Sequence, residues 1–293
     1  MMQAQAKESS FDGSDTLLNE IFDFSAWDEK LPELAAEYRN AAPFPHIALD
    51  NFLLPDVAKS AMNDFKNMDW QLFKHVNENK SGNRNRHFPS KLDPVMKMLN
   101  SEPFLQFLNK LTGIDDLIAD HDFGSGGIHR STRGGFLNIH ADFTVHPYRT
   151  DWHRRINVLI YLNENWEEEW GGYLELWKTD MSACARKVAP IFNRCVIFNT
   201  DYDSYHGHPE PMQSPEGLWR QSIAMYYYTK ADESTRAVAT DYRARPKDSS
   251  LKGFFIYLDK KALSVFHKTK TLFGANDTLV TNIFGFFNRN SKK

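Results

Sequence analysis

The hydrophobic residues of this chain follow two periods, and the change falls near residue 120. Upstream, "SAWDEKLPELAAEYRNA" spaces Trp27, Leu31, Leu34, Ala35 and Tyr38 by three and four residues, which predicts a helix with one apolar face. "PFPHIALDNFLLP" alternates roughly and predicts a strand running into Pro55. A proline suits the first turn of a helix, so "PDVAKSAMNDFKNM" is expected to be helical. "DWQLFKHV" reads as another strand and "NENKSGNRNRHFP" as a polar loop. Helices are expected across 91–119, with Gly113 as a stop.

Downstream, short apolar segments alternate with glycine-rich or polar breaks: "GGIHR", "GGFLNIHAD", "RRINVLIYLNENW", "GGYLELWK", "KVAPIFNRCVIFNT" and "RQSIAMYYYT". Closely spaced short strands with turn signals between them predict a sandwich or barrel. The fold class expected is mainly β with flanking helices: a double-stranded β-helix (jelly-roll) core with helices packed on one sheet. Residues 1–15 read as a mobile tail. Residues 16–230 read as one domain, with helical support over 16–119 and the jelly-roll core over 120–230. Residues 231–293 read as a C-terminal extension packed on that domain. Within it, Leu279, Val280, Ile283, Phe284, Phe286 and Phe287 fall on one side of a predicted terminal helix. Such a stripe suits core packing first, and a lid or homodimer contact second.

Composition narrows the function classes. Of the 293 residues, 41% are hydrophobic and 14% aromatic, enough to fill a sizeable core. A formal charge of -3 gives no electrostatic case for nucleic acid or an anionic membrane. No apolar run approaches the ~20 residues that span a bilayer. The start is polar, unlike a secretory signal, and two cysteines, Cys184 and Cys195, do not make a disulfide framework. The expectation is a soluble cytoplasmic protein.

One stretch departs from the hydrophobic pattern. In "FLNIHADFTVHP", His140 and Asp142 interrupt an apolar run two residues apart. Alternate residues of a strand share a side, so the pair converges as two ligands of one metal must. His206 and His208 in "DSYHGHPEP" offer a third ligand. Two histidines and a carboxylate on one face of a metal leave the opposite positions open, the facial triad of non-haem Fe(II) oxygenases. Arg220 opens the apolar strand "RQSIAMYYYT" and needs an anion there. A dicarboxylate that chelates the metal at one end would supply it at the other. Other candidates read as structural. His129 and Arg133 precede the His-x-Asp strand and could line its mouth, His146 and His153 lie in a polar loop as exposed or substrate-side histidines, and Trp166, Trp170 and Trp177 pack around Gly171-Gly172. Cys195 sits on a core strand. The run Glu167-Glu168-Glu169 reads as a solvated loop.

Taken in order, "HAD", "RRINVLIYLNENW", "WGGYLELW", "VAPIFNRCVIFNT", "YHGHPEP" and "RQSIAMYYYT" resemble the Fe(II)/2-oxoglutarate dioxygenases of the prolyl-4-hydroxylase type. The resemblance covers 120–229, and "FPHIALDNFLLP" extends it weakly. It implies His140, Asp142 and His206 as Fe(II) ligands, with His206 preferred to His208 because it directly precedes glycine. It implies Arg220 as the residue that binds the far carboxylate of 2-oxoglutarate, although its separation from the distal histidine is longer than in animal oxygen-sensing relatives. Tyr161 matches a tyrosine that holds the same carboxylate, and reads equally well as a core aromatic. Asn157, on the same side of that strand, is placed to hydrogen-bond the cosubstrate. The resemblance further implies Fe(II), 2-oxoglutarate and O2, with ascorbate as a stimulant, and hydroxylation of an unactivated carbon with release of succinate and CO2. Relatives that halogenate lack the carboxylate ligand, so Asp142 favours hydroxylation. The substrate expected is a small molecule or a protein side chain, prolyl among them. A metal-dependent hydrolase or a non-catalytic jelly-roll binding module are the rivals, and both leave Arg220 and Tyr161 unexplained.

Overall fold

The computed structural model describes residues 18–83, 88–123 and 126–258. The predicted tail and the terminal apolar stripe lie outside the described residues. Five helices lie among the described residues of 24–112: α1 (Phe24–Asp28), α2 (Leu31–Asn40), α3 (Pro55–Asp64), α4 (Leu92–Leu99) and α5 (Glu102–Thr112). The first predicted helix is thus two, broken around Lys30. Pro55 stands in the first turn of α3, and Gly113 caps α5 at φ 73°, donating its N–H to Asn109. That left-handed cap requires a glycine. No described helix is long and apolar enough to cross a membrane.

The strands form one antiparallel sheet that curls on itself. Its order begins with β1 (His46–Leu49), β10 (Arg194–Asn199), β7 (Trp152–Tyr161), β12 (Arg220–Lys230) and β5 (Gly127–Ser131). It continues through β3 (Glu78–Gly82) to β6 (Phe136–Ala141), β11 (His206–His208), β8 (Leu174–Trp177) and β9 (Cys184–Val188). Strand β2 (Gln71–Lys74) pairs with β3, β4 (Ile118–Ala119) with β12, and β13 (Asp241–Tyr242) with β6. The architecture is the double-stranded β-helix, nearly closed, with β3 as the seam. That strand is a correction: residues 78–82 of the expected polar loop pair with both β5 and β6. Their side chains are polar on both faces, so no hydrophobic alternation marks them.

Two-fold periodicity divides the labour within each central strand. On β7, Ile156, Val158 and Ile160 join the helical residues Leu99, Phe104 and Leu108 in one core, while Asn157, Leu159 and Tyr161 line the barrel interior. On β12, Ile223, Met225 and Tyr227 face that core, and Arg220, Ser222, Ala224 and Tyr226 face inward. A second cluster, with Tyr161, Leu174, Leu176, Val196 and Phe198, fills the space between the two halves of the sheet. The helices therefore pack on one sheet, and the barrel mouth is left for polar side chains.

The pairing of β11 with β6 tolerates no side chain at position 207. A Cβ there would stand 2.7 Å from the Leu137 carbonyl oxygen and 2.9 Å from that of Asn138. Backbone cannot give way as a flexible side chain can. Gly207→Ala is expected to cost about 1–3 kcal/mol, the range for overpacking, read as a lower urea midpoint at unchanged slope.

Candidate active site

His140 lies near the end of β6 and Asp142 just beyond it, while His206 opens β11 directly opposite His140. An ionisable pair in an apolar run is kept here by a strand end and a cationic partner. One ligand atom from each of the three residues lies within 4.8 Å of the others. The Nε2 atoms of His140 and His206 stand 3.5 Å and 3.4 Å from the two Asp142 oxygens. Each ring turns its Nδ1 outward, towards the carbonyl of Asn138 and of Ser204 respectively, at 2.9 Å. That backbone contact makes Nδ1 the donor and leaves Nε2 free as a metal ligand.

Electrostatics favour the ligating protonation states. Burial would raise the Asp142 carboxyl, but Arg154, then His206 and His140, hold it well below the usual carboxylate range. Burial pushes the His206 imidazole down to about 4. At neutral pH the site presents an ionised Asp142 carboxylate and a neutral His206 ring. His208 shares the cavity, but a register shift separates it from His206 and sets it against Leu137, away from the cluster.

Arg154 is the residue that sequence reasoning missed. It is fully buried and pairs with Asp142 Oδ2 at 2.9 Å. Its guanidinium lies 3.5 Å from the Tyr226 ring centroid and 4.6 Å from that of Phe143. Strict alternation would put Arg154 on the helix side of β7, with Ile156. A bulge opposite Tyr227 and Tyr228 inserts Arg155 and turns Arg154 to the other side. The signal available in the sequence was an arginine pair inside an apolar strand; the bulge left none. Asn157 lines the cavity and bonds to both charged partners. Its Nδ2 donates to Asp142 Oδ2 at 2.8 Å, and its Oδ1 accepts from Arg154 at 3.0 and 2.7 Å. The amide orients the carboxylate.

Arg220 and Tyr161 meet on the opposite wall. The Arg220 Nη2 donates to the Tyr161 hydroxyl at 3.1 Å, and its Nε to the Gly172 carbonyl at 2.7 Å. Arg220 is buried and makes no ion pair among the described residues. Burial raises the Tyr161 hydroxyl, against the lowering effect of Arg220, so the phenol stays protonated. The two residues line the same cavity, about 110 Å³, as the triad. The Gly171-Gly172 turn is fixed partly by Trp166, whose Nε1 donates to the Gly171 carbonyl.

Several other candidates have plain structural roles. His146 is not a loop residue facing solvent: it is buried, 3.3 Å from Asp120, with Trp152 and Tyr228 against its ring. His153 is half-buried in an isolated bridge with Val145. Arg133 donates to the carbonyls of Gln213 and Ser214. His129 does line the cavity, where burial lowers it to about 3. Cys195 is buried, and burial raises its thiol well above the usual range. Glu167, Glu168 and Glu169 are exposed, as a solvated segment should be.

Two variants probe these arrangements separately. Arg154→Met leaves Asp142 without its cation and is expected to weaken Ni(II) binding roughly 10- to 100-fold, the usual size of an outer-shell loss, by calorimetric titration. Gly172→Ala would place a Cβ 2.8 Å from Met212 Sδ and 3.1 Å from Arg220 Cδ, at a φ of +70°. It is expected to weaken 2-oxoglutarate binding in the same assay while leaving Ni(II) affinity unchanged.

Residues 126–228 match the family model described as the 2OG-Fe(II) oxygenase superfamily. No curated protein matches the chain. Among solved structures it is similar to a Pseudomonas putida prolyl-4-hydroxylase, at 17% identity over 68% of this chain and 100% of that one, with a TM-score of 0.49. It is also similar to a Trichoplax adhaerens prolyl hydroxylase in complex with a hypoxia-inducible-factor peptide fragment, at 17% identity over 70% and 93%, with a TM-score of 0.49. HygX from Streptomyces hygroscopicus, with nickel, 2-oxoglutarate and hygromycin B bound, shares 10% identity over 66% and 90%, at a TM-score of 0.45. Most of the jelly-roll core and all of the His-His-Asp cluster fall within the span that matches the 2OG-Fe(II) oxygenase superfamily, and the protein is an enzyme dependent on Fe(II), 2-oxoglutarate and O2.

Proposed function

We propose that this enzyme hydroxylates an unactivated carbon of a small molecule or an amino-acid side chain, prolyl side chains included, with His140, Asp142 and His206 as the iron ligands. One oxygen atom of O2 would enter the substrate C–H bond and the other the succinate formed as 2-oxoglutarate loses CO2. Bound Fe(II) and 2-oxoglutarate supply the oxidising chemistry, as cofactors do, and the protein supplies position and electrostatics. Arg154 and Asn157 hold the Asp142 carboxylate by its Oδ2, which leaves Oδ1 the freer ligand atom. The backbone contacts of His140 and His206 fix the direction of their lone pairs. Arg220 and Tyr161 offer the fork and the hydroxyl that would receive a carboxylate at the far end of the cavity.

The observation that carries this reading is Arg220. A buried guanidinium is costly without an anion, and the described residues give it a carbonyl and a phenol but no carboxylate. A dicarboxylate reaching from the triad answers that need, whereas a hydrolytic metal site does not. The cysteines play no part, since neither approaches the triad cluster.

The test is succinate formation by the Fe(II)-loaded protein given 2-oxoglutarate and then O2, with the visible metal-to-ligand band of the anaerobic complex recorded on the same samples. The parent is expected to show the band and slow substrate-free turnover. His140→Ala and Asp142→Ala are expected to lose both. Arg220→Ala is expected to bind 2-oxoglutarate roughly 10- to 100-fold more weakly, from about 1.5–3 kcal/mol for a hydrogen bond to a charged group. A folded, iron-loaded parent with no band would overturn the reading.

A further inference from the structure

The inner wall and its supports carry more positive charge than iron and 2-oxoglutarate use. Four cationic side chains, Lys80, Arg130, Arg154 and Arg220, stand against two carboxylates, Glu78 and Asp142. The cations outnumber the carboxylates, which leaves a net positive charge. Divalent iron and doubly charged 2-oxoglutarate cancel each other, so that charge persists in the loaded site. A buried net charge is costly, and a bound anion relieves the cost.

Three of the four cations are committed, Arg130 by stacking on the Trp70 and Trp219 rings at 4.2 and 3.9 Å. Arg154 is locked between two ring faces and bonded to Asp142 and Asn157. Arg220 is seated on Gly172 and Tyr161, turned to the cosubstrate end. Lys80 is different. It sits on the seam strand β3, its side chain is 22% exposed, and it lines the cavity together with His140, Asp142 and Tyr226. Its only ion pair among the described residues is with Glu78 Oε2 at 3.0 Å, and Glu78 is shared with His75 at 2.9 Å. An ammonium has three donors on a flexible stem, so Lys80 can accept a second anion without leaving Glu78.

We propose that Lys80 is the substrate-recognition residue of this site, and that the substrate is a small molecule bearing a carboxylate that pairs with Lys80. This rests on the oxygenase reading above and sharpens it. An internal prolyl residue of a protein brings no charge to the cavity and leaves the excess cation unanswered. A carboxylic acid of amino-acid size does answer it. Anchored at Lys80, such a molecule presents its neighbouring carbons towards the triad, since Lys80 and the triad line the same cavity.

The test uses the full chain loaded with Ni(II) and 2-oxoglutarate, which binds without turnover. Propionate and propionamide are the calorimetric probes, equal in size and different in charge. Propionate is expected to bind at least about tenfold more tightly than propionamide, the size of one charge-assisted hydrogen bond. Lys80→Met is expected to erase that preference and Lys80→Arg to retain it, with 2-oxoglutarate held at saturation in both. Since Lys80→Met leaves Glu78 without its cation, the double variant Lys80→Met, Glu78→Gln removes the pair together and is expected to lose the preference equally. The proposal is overturned if parent protein binds the two probes alike, if it binds neither up to tens of millimolar, or if the preference survives in the double variant. Failure of 2-oxoglutarate itself to bind the Ni(II) protein is a separate outcome: it removes the oxygenase reading and this proposal with it.

Discussion

An ionised carboxylate has to be kept inside a barrel, and much of the interior is arranged around that requirement. Asp142 is nearly surrounded by protein, where an unpaired charge is costly. Arg154 compensates it, and Asn157 holds both partners at once. The compensation creates a second demand, because Arg154 is itself fully buried. The Phe143 and Tyr226 rings cover its two faces, so a residue just past β6, the first half of β7 and the middle of β12 must meet in one register. The bulge in β7 is what makes that meeting possible. A one-residue slip would return Arg154 to the helix side and leave the carboxylate alone.

The helical layer serves the site indirectly. It gives β7 and β12 an apolar partner on one face, so the other face can carry Asn157, Tyr161, Arg220 and Tyr226 without loss of packing. Each central strand is thereby half core and half chemistry. The opposite half of the barrel supplies the histidines, and its outer face is covered by Ile139, Ala141, Trp177 and Tyr205. Strand β13 adds to this side: Tyr242 pairs with His140 in register and lays its ring 5.2 Å from the imidazole. A segment well beyond the matched core thus borders a candidate ligand.

Legibility followed the physics of each signal. Helices α4 and α5 were readable because one face is apolar over three turns and Gly113 ends the second. The core strands were readable because their inward and outward faces differ in what buries them. Strand β3 was not, since Lys80 faces a polar cavity and its neighbours are polar too. His146 looked like a loop residue because its partners, Asp120 and Tyr228, lie far off in sequence and converge only in the fold.

By itself the sequence determined the class of fold, the residue types at the metal-binding strand and the presence of an arginine that needs an anion. These are local properties: a two-residue spacing, a hydrophobic period, a charge at the head of an apolar strand. Tertiary structure decided the rest. It brought His206 rather than His208 into the cluster with His140 and Asp142, turned Arg154 inward, gave Asn157 to the ligand carboxylate and set Lys80 at the seam. The physical reason is register. Periodicity assigns a side chain to one face of its own strand, but bulges shift that assignment, and the closure of a barrel from strands distant in sequence determines which faces meet.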